Sequence, residues 1–268
     1  MEFKSILKDT IYGAVVGDAI GLPYSGLPRN VVDCDGTMVK SIRYGTEPGT
    51  WSDNTALLLA TCDSIRELGY ISTDDMRNKF TDWHETGKYA CNKHVVGDGR
   101  TNPLTRIAPM AYCNTNKVLK NFDSLGNAIR AVSRITSSDT IVDDICIEYV
   151  HLISDIVYWF VDDHTEYILS ILPELDVLEA DVPSNRYTGD TIFAALWSFV
   201  FTDNYADCII KAVNLGGDTS TIACVAGALA GTYYGYKSIP DEWLNALQDT
   251  ETIEACLFNN TTIDQEIG

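Results

Sequence analysis

Asn214-Leu215-Gly216-Gly217-Asp218-Thr219-Ser220-Thr221-Ile222-Ala223-Cys224-Val225-Ala226-Gly227-Ala228-Leu229-Ala230-Gly231 joins two patterns in one stretch. From Ile222 to Ala230 every residue is apolar or glycine, as in a helix buried on all sides. Ala223, Gly227, Gly231 and Gly235 fall four apart and so share one helix face. Glycine in a helix interior costs roughly 1 kcal/mol relative to alanine. A stripe of them needs a compensating gain, and close approach of another backbone supplies one. Gly13, Gly17 and Gly21 repeat the spacing near the start of the chain. The helix from Asp218 to Tyr236 is therefore expected to be buried, its stripe packed against other helices, including the one that carries Gly13 and Gly17. Asp18 and Asp218 argue against reading either stripe as a membrane helix.

Outward from that stretch, helical periodicity dominates. Apolar residues recur at helical spacing over Ile6 to Ile20, Asp53 to Leu68 (closed by Gly69), and Thr73 to Glu85 with a cap at Thr73. Further helices are predicted over Asn102 to Tyr112, Leu125 to Ile135, Thr140 to Phe160, Asp190 to Phe201, Tyr205 to Val213 and Pro240 to Leu247. Val31 to Tyr44 could form a short extended excursion. No repeat, low-complexity tract or linker interrupts the 268 residues, so residues 1–268 are expected to form a single all-α domain.

Composition excludes several functions. The net charge is −19, from 38 acidic and 19 basic residues. That field repels a phosphate backbone and an anionic membrane surface, so neither nucleic acid nor membrane is expected as a partner. A local pocket can still bind phosphate through helix N-termini. Eight scattered cysteines contain no C-x-x-C pair and several sit among apolar residues, such as Cys224. They read as reduced core thiols, and with no signal-peptide pattern at the N-terminus the expected location is cytoplasmic.

Two oxygen-rich segments open helices. The first is Gly49-Thr50-Trp51-Ser52-Asp53-Asn54-Thr55, in which Ser52 or Asp53 would serve as a helix cap. The second is the run from Asn214 to Thr221 quoted above. Its Gly-Gly turn lets short oxygen side chains and N–H groups converge, which suits a hard cation, a phosphate or ribose hydroxyls. Either segment alone is as readily a simple cap.

Taken together, and with the glycine-striped helices at both ends, these segments resemble the ADP-ribosylglycohydrolase family. The resemblance begins with Gly13-Ala14-Val15-Val16-Gly17-Asp18-Ala19-Ile20-Gly21 and continues through Gly49 to Thr55, Arg106 to Tyr112 and Ala131 to Arg134. It ends with Ala194-Ala195-Leu196-Trp197 and the run from Lys211 to Gly235. It implies an orthogonal multi-helix fold with two divalent metals, usually Mg²⁺ or Mn²⁺, at a pocket floor. There they would polarise the distal ribose and a water for cleavage of a glycosidic bond. The family's Ser/Thr-Asp-Asp maps to Ser52, Asp53 and Asn54, and its Asp-Thr-Asp-Thr to Asp218, Thr219, Ser220 and Thr221. By this mapping Asp53 and Asp218 are the expected catalytic carboxylates. Ser52, Asp53, Asp218 and Thr221 are the expected metal ligands. Asp18, Ser25, Trp51, Asn54, Asn102, Gly216, Gly217, Thr219 and Ser220 are expected to line the ligand.

Departures from the family pattern bear on chemistry. Asn54 and Ser220 each stand where the family has an aspartate, Ser25 where many members have glutamate, and Ser137 where many have histidine. The Gly97 to Arg106 region is shorter than the family's loop, with Asn102 its surviving counterpart. The floor falls from about four negative charges to two, too few for two ions roughly 3.5–4 Å apart. At most one weakly bound Mg²⁺ or Mn²⁺ is expected, with Ser, Asn and Thr groups free to bond ribose hydroxyls directly. The leading expectation is a protein that binds ADP-ribose, a related nucleotide or an ADP-ribosylated macromolecule, with hydrolysis weak or lost. The alternatives are an active one-metal hydrolase and structural reuse of the fold. Oligomeric state and leaving group are not encoded in these motifs.

Overall fold

The computed structural model describes residues 6–92, 102–113, 115–158 and 161–258, and among these it contains thirteen α-helices and no strand. In chain order they are α1 (Leu7–Gly21), α2 (Asp53–Leu68), α3 (Thr73–Thr86), α4 (Leu104–Ile107), α5 (Asn116–Leu119), α6 (Leu125–Ser133) and α7 (Thr140–Tyr158). They continue with α8 (His164–Ile171), α9 (Thr188–Val200), α10 (Tyr205–Asn214), α11 (Thr219–Tyr234), α12 (Asp241–Ala246) and α13 (Thr250–Cys256). The all-α expectation holds.

The pairing of α1 with α11 is the most extensive in the fold. It is antiparallel and runs glycine to backbone. A Cβ added at Gly13 would stand 2.9 Å from the Gly231 Cα, and one at Gly17 would stand 2.7 Å from the Ala223 carbonyl carbon. One at Gly21 would stand 2.6 Å from the Thr219 oxygen. In return, Gly227 and Gly231 face the carbonyls of Gly13 and Asp9. Hydrogen bonds pin both ends of this seam: Thr10 Oγ1 lies 2.7 Å from Thr232 Oγ1, and Thr219 Oγ1 donates to the Gly21 carbonyl at 2.7 Å. Midway, the buried Tyr205 hydroxyl of α10 donates to the Gly13 carbonyl at 2.7 Å. All residues from Thr219 to Thr232 are buried, as are those of α1 from Thr10 to Gly21. α9 and α10 pack on the other sides of α11, and α2 carries α3 and α4.

Helix ends follow local chemistry. Ser52 caps α2, accepting from the Asn54 N–H at 3.1 Å, and Gly69 closes it at φ 70°. The α3 cap is Ser72, not Thr73: its hydroxyl accepts from the Asp75 N–H, and Thr73 is the first helical residue. Asn102 to Tyr112 is not one helix, because Pro109 breaks it into α4 and a 3₁₀ turn, Ala108–Tyr112. The 31–44 excursion forms no strand; a single bridge joins Ser41 to Thr46. Asp218 is the cap of α11 and not its first residue. Helices α5, α8 and α13 were missed from the periodicity; each has only one or two buried apolar residues to mark it. Of the region 97–106, residues 97–101 lie outside the described residues, as do 159 and 160 at the predicted end of α7. All eight cysteines are free, seven of them buried. Among the described residues no helix is long and apolar enough to cross a membrane.

The seam sets a measurable expectation. Gly17→Ala forces the α1 and α11 backbones apart and should cost about 1–3 kcal/mol in urea denaturation. Gly126 in α6 is the control, since an added Cβ there meets only ordinary contacts at 3.9 Å. Gly126→Ala should be neutral or stabilising by about 0.5–1 kcal/mol. Equal effects at the two positions would contradict close backbone packing.

Candidate functional site

The site is organised around a buried charge. Asp18, near the end of α1, is completely buried. Its Oδ1 accepts from Ser52 Oγ at 2.7 Å, and its Oδ2 from the Ser52 N–H at 2.9 Å. Oδ2 also accepts from Thr55 Oγ1 at 2.6 Å and from the Thr55 N–H at 3.2 Å. The Asn54 carboxamide donates from further off, 3.5 Å from Oδ1. The carboxylate therefore sits against the N-terminus of α2, where the free N–H groups and the helix dipole favour negative charge. Burial raises the Asp18 pKa, and the bonds from Thr55 and Ser52 oppose it. Asp18 thus holds the first turn of α2 in place; it is not exposed to a ligand as the sequence reading had it.

The second half of the site is the turn before α11. Gly216 and Gly217 both adopt left-handed backbone, at φ 71° and 70°. A Cβ on Gly216 would stand 2.5 Å from the Arg29 nitrogen, and one on Gly217 would strike the Ser184 carbonyl. Only glycine serves at both positions. Their N–H groups are engaged within the chain: Gly216 donates to Val213 O at 3.0 Å and Gly217 to Leu27 O at 2.8 Å. The Asp218 N–H donates to Ser184 O at 3.0 Å. Contrary to the expectation of converging free donors, these glycines shape the turn and do not present N–H groups to a ligand.

The two halves meet at Asn54. Its Nδ2 donates to Thr221 Oγ1 at 3.3 Å, bridging segments that lie 167 positions apart. Asp53, the first residue of α2, is pushed up to about 6, first by burial, then by the charge of Asp18 and, more weakly, that of Asp218. Asp218 is raised by burial, with the Thr221 hydroxyl and the Arg186 guanidinium pulling it down. The loop after α1 joins the same turn, since the Gly26 N–H donates to Gly217 O at 2.7 Å and Arg43 Nη1 to Ser25 O at 2.8 Å. Ser25 and Ser220 are each only 5% exposed, and among the described residues neither hydroxyl has a hydrogen-bond partner.

Other expected site residues have different roles. Trp51 is buried in the core and donates its indole N–H to the Tyr89 carbonyl at 3.1 Å, leaving no face for a nucleotide. Asn102 accepts from the Leu104 N–H at 3.2 Å and donates to Thr191 Oγ1 at 3.2 Å, so both ends of its amide are engaged. Thr219 is buried with its hydroxyl on Gly21 O. Ser52 both caps α2 and donates to Asp18. Ser137 accepts from the Asp139 N–H at 3.3 Å in the turn before α7. Two residues of this cluster were not singled out from the sequence. Thr55 supplies two of the bonds to Asp18; its place three residues after the Ser52 cap was the available signal. Arg186, whose Nε lies 4.0 Å from Asp218 Oδ1, stands in a loop with no motif to mark it. Among the described residues no group of three or more His, Cys, Asp or Glu side chains gathers as a metal centre would require.

Residues 2–266 match the ADP-ribosylglycohydrolase family, and the chain belongs to it. It is 26% identical to an ADP-ribosylarginine hydrolase of Serratia proteamaculans, over 92% of this chain and 76% of that protein. It is 24% identical to the ADP-ribosyl-[dinitrogen reductase] glycohydrolase of Rhodospirillum rubrum, over 88% of this chain and 87% of the relative. A solved structure described as an ADP-ribosylglycohydrolase-related protein complex superposes with a TM-score of 0.73. It is 26% identical and covers 92% of this chain and 93% of its own.

The Asp53 carboxyl gives a pH-dependent expectation. Its folded pKa of about 6 lies above the ~3.9 of an unfolded aspartate. The folded state binds this proton more tightly. The resulting stabilisation is complete below the unfolded value and is lost as pH rises through about 6. Asp53→Asn should therefore be more stable than the parent at pH 7 in chelator-containing buffer, by about 1–3 kcal/mol. The advantage should disappear by about pH 4, below most of the titration. Urea midpoints across that range provide the check; a pH-independent difference would contradict the burial of Asp53.

Proposed function

We propose that this chain binds ADP-ribose, a related nucleotide or an ADP-ribosylated macromolecule at the junction of the α2 and α11 N-termini, with hydrolysis weak or lost. The observation that carries this reading is the Asn54 carboxamide. It donates both to Asp18 and to Thr221. An aspartate at this position would have no proton to donate to either and would face Asp18 as a like charge. The floor is thus stitched together by a neutral residue. The remaining donors are the Asp53 and Asp218 carboxylates, the Asn54 carbonyl, and the hydroxyls of Ser220 and Thr221. That set fits one hard cation, Mg²⁺ or Mn²⁺, held weakly; it does not fit two, which need bridging carboxylate. The partnerless hydroxyls of Ser25 and Ser220 suit direct hydrogen bonds to ribose. We further take residues 1–268 as one domain and, from eight unpaired cysteines, place it in the reducing cytoplasm.

A second reading is slow hydrolysis through one metal. It is favoured by the Asp53 and Asp218 carboxylates, which could share one hard cation. The hydrolase names of the Serratia and Rhodospirillum relatives point the same way.

Calorimetry with ADP-ribose, with and without chelator, separates the readings. Binding of similar affinity in both conditions is expected. No binding in either removes the proposal, and binding only with Mn²⁺ favours the hydrolase. The double variant Asn54→Asp with Ser220→Asp should bind Mn²⁺ at least about tenfold more tightly, through two restored charges. It should also release ADP-ribose from an ADP-ribosylarginine peptide faster than the parent. A parent that turns over as fast as the double variant would overturn the reading.

A further inference from the structure

We propose that Arg186 is the resident cation of this floor, holding beside Asp218 the electrostatic place of a divalent ion and thereby opposing metal binding. The inference rests on the reading that Asp53 and Asp218 are the charged groups of the site. Arg186 Nε lies 4.0 Å from Asp218 Oδ1, while the side chain as a whole remains 80% exposed. Among the described residues it is the one cation within ion-pair distance of Asp18, Asp53 or Asp218.

The backbone holds it there. The Asp218 N–H donates to the Ser184 carbonyl two residues before Arg186, and the missing side chain of Gly217 makes room for that carbonyl. Asn185 Nδ2 donates to Asp190 Oδ2 at 3.1 Å, tying the same segment to the start of α9. The residue is therefore anchored by its chain while its side chain is free to reach the carboxylate. A guanidinium brings a delocalised positive charge and a planar fork of N–H donors. A cation entering at Asp218 meets this positive charge at short range, with neutral Asn54 and Ser220 where further carboxylates would have offset it. With Asp18, Asp53 and Asp218 counted as the negative groups, the guanidinium lowers the net charge that a dication meets from three negative to two.

Titration with Mn²⁺, followed by the free-ion paramagnetic resonance signal and without nucleotide present, tests this directly. Arg186→Gln should tighten Mn²⁺ binding about three- to tenfold at low ionic strength, the scale of one unit charge interacting with a dication across several ångströms of water. The gain should shrink with added salt, because the guanidinium is exposed. Arg186→Lys, which keeps the charge, should stay within about twofold of the parent by the same Coulomb argument. The comparison is repeated on the Asn54→Asp, Ser220→Asp background, where affinity is high enough to measure even if the parent binds too weakly. Unchanged or weaker Mn²⁺ binding by Arg186→Gln in that background overturns the inference. So does equal tightening by Arg186→Lys, which would indicate a structural role for the residue. Failure of ADP-ribose to bind in calorimetry would instead strike the proposed function and leave this charge comparison standing.

Discussion

Everything in this fold depends on two helix backbones touching without side chains between them. α1 and α11 approach so closely that a single methyl group at Gly13, Gly17 or Gly21 would collide with main-chain atoms of the partner. Carbonyls that would otherwise bond only along their own helix gain the Thr219 and Tyr205 hydroxyls, so the register is fixed by polar contacts as well as by shape. The seam places the end of α1 against the start of α11, and therefore Asp18 near Thr219 to Thr221. The site is the junction of those two ends.

At that junction the decisive quantity is charge in a confined space. Asp18 is satisfied by the N-terminus of α2, with four short bonds from Ser52 and Thr55. It can therefore be buried without an arginine or lysine partner. Its field still reaches Asp53 and raises that carboxyl further than burial alone would. The amide at Asn54 resolves what would be a contest of three carboxylates by donating to its neighbours.

The helical architecture was legible because its signals are local. Four-residue glycine spacing predicted the buried α11 and its partner α1, and Asp53 to Leu68 emerged with the same bounds that its periodicity and Gly69 implied. Short helices such as α8 and α13 escaped, since one turn or two of weak amphipathicity does not stand out from a loop. The two oxygen-rich segments were found from type and order of residues, and the structure brings Asn54 to Thr221. What the sequence could not tell was which polar atoms already had partners. Asp18, Trp51, Asn102, Gly216 and Gly217 all looked available for a ligand. Their hydrogen bonds go to residues tens or hundreds of positions away or to turns whose form depends on packing. Arg186 was invisible for the converse reason: a lone arginine in a loop acquires meaning only from the carboxylate it faces.

The seam also bears on the order in which the molecule can form. Gly21 and Thr219, bonded to one another in the finished structure, are separated by 198 positions. A chain growing from the ribosome makes α1 long before α11. In that interval α1 offers an apolar surface with no matching groove, since the groove is the still-unmade glycine face of α11. Such long-range closure slows folding and leaves nascent apolar surface open to chaperones and proteases. A message truncated before the codon for Thr219 would yield a protein deprived of its central pairing as well as of half its site. The contact that organises the site is thus one that the chain can make only once both of its distant segments exist.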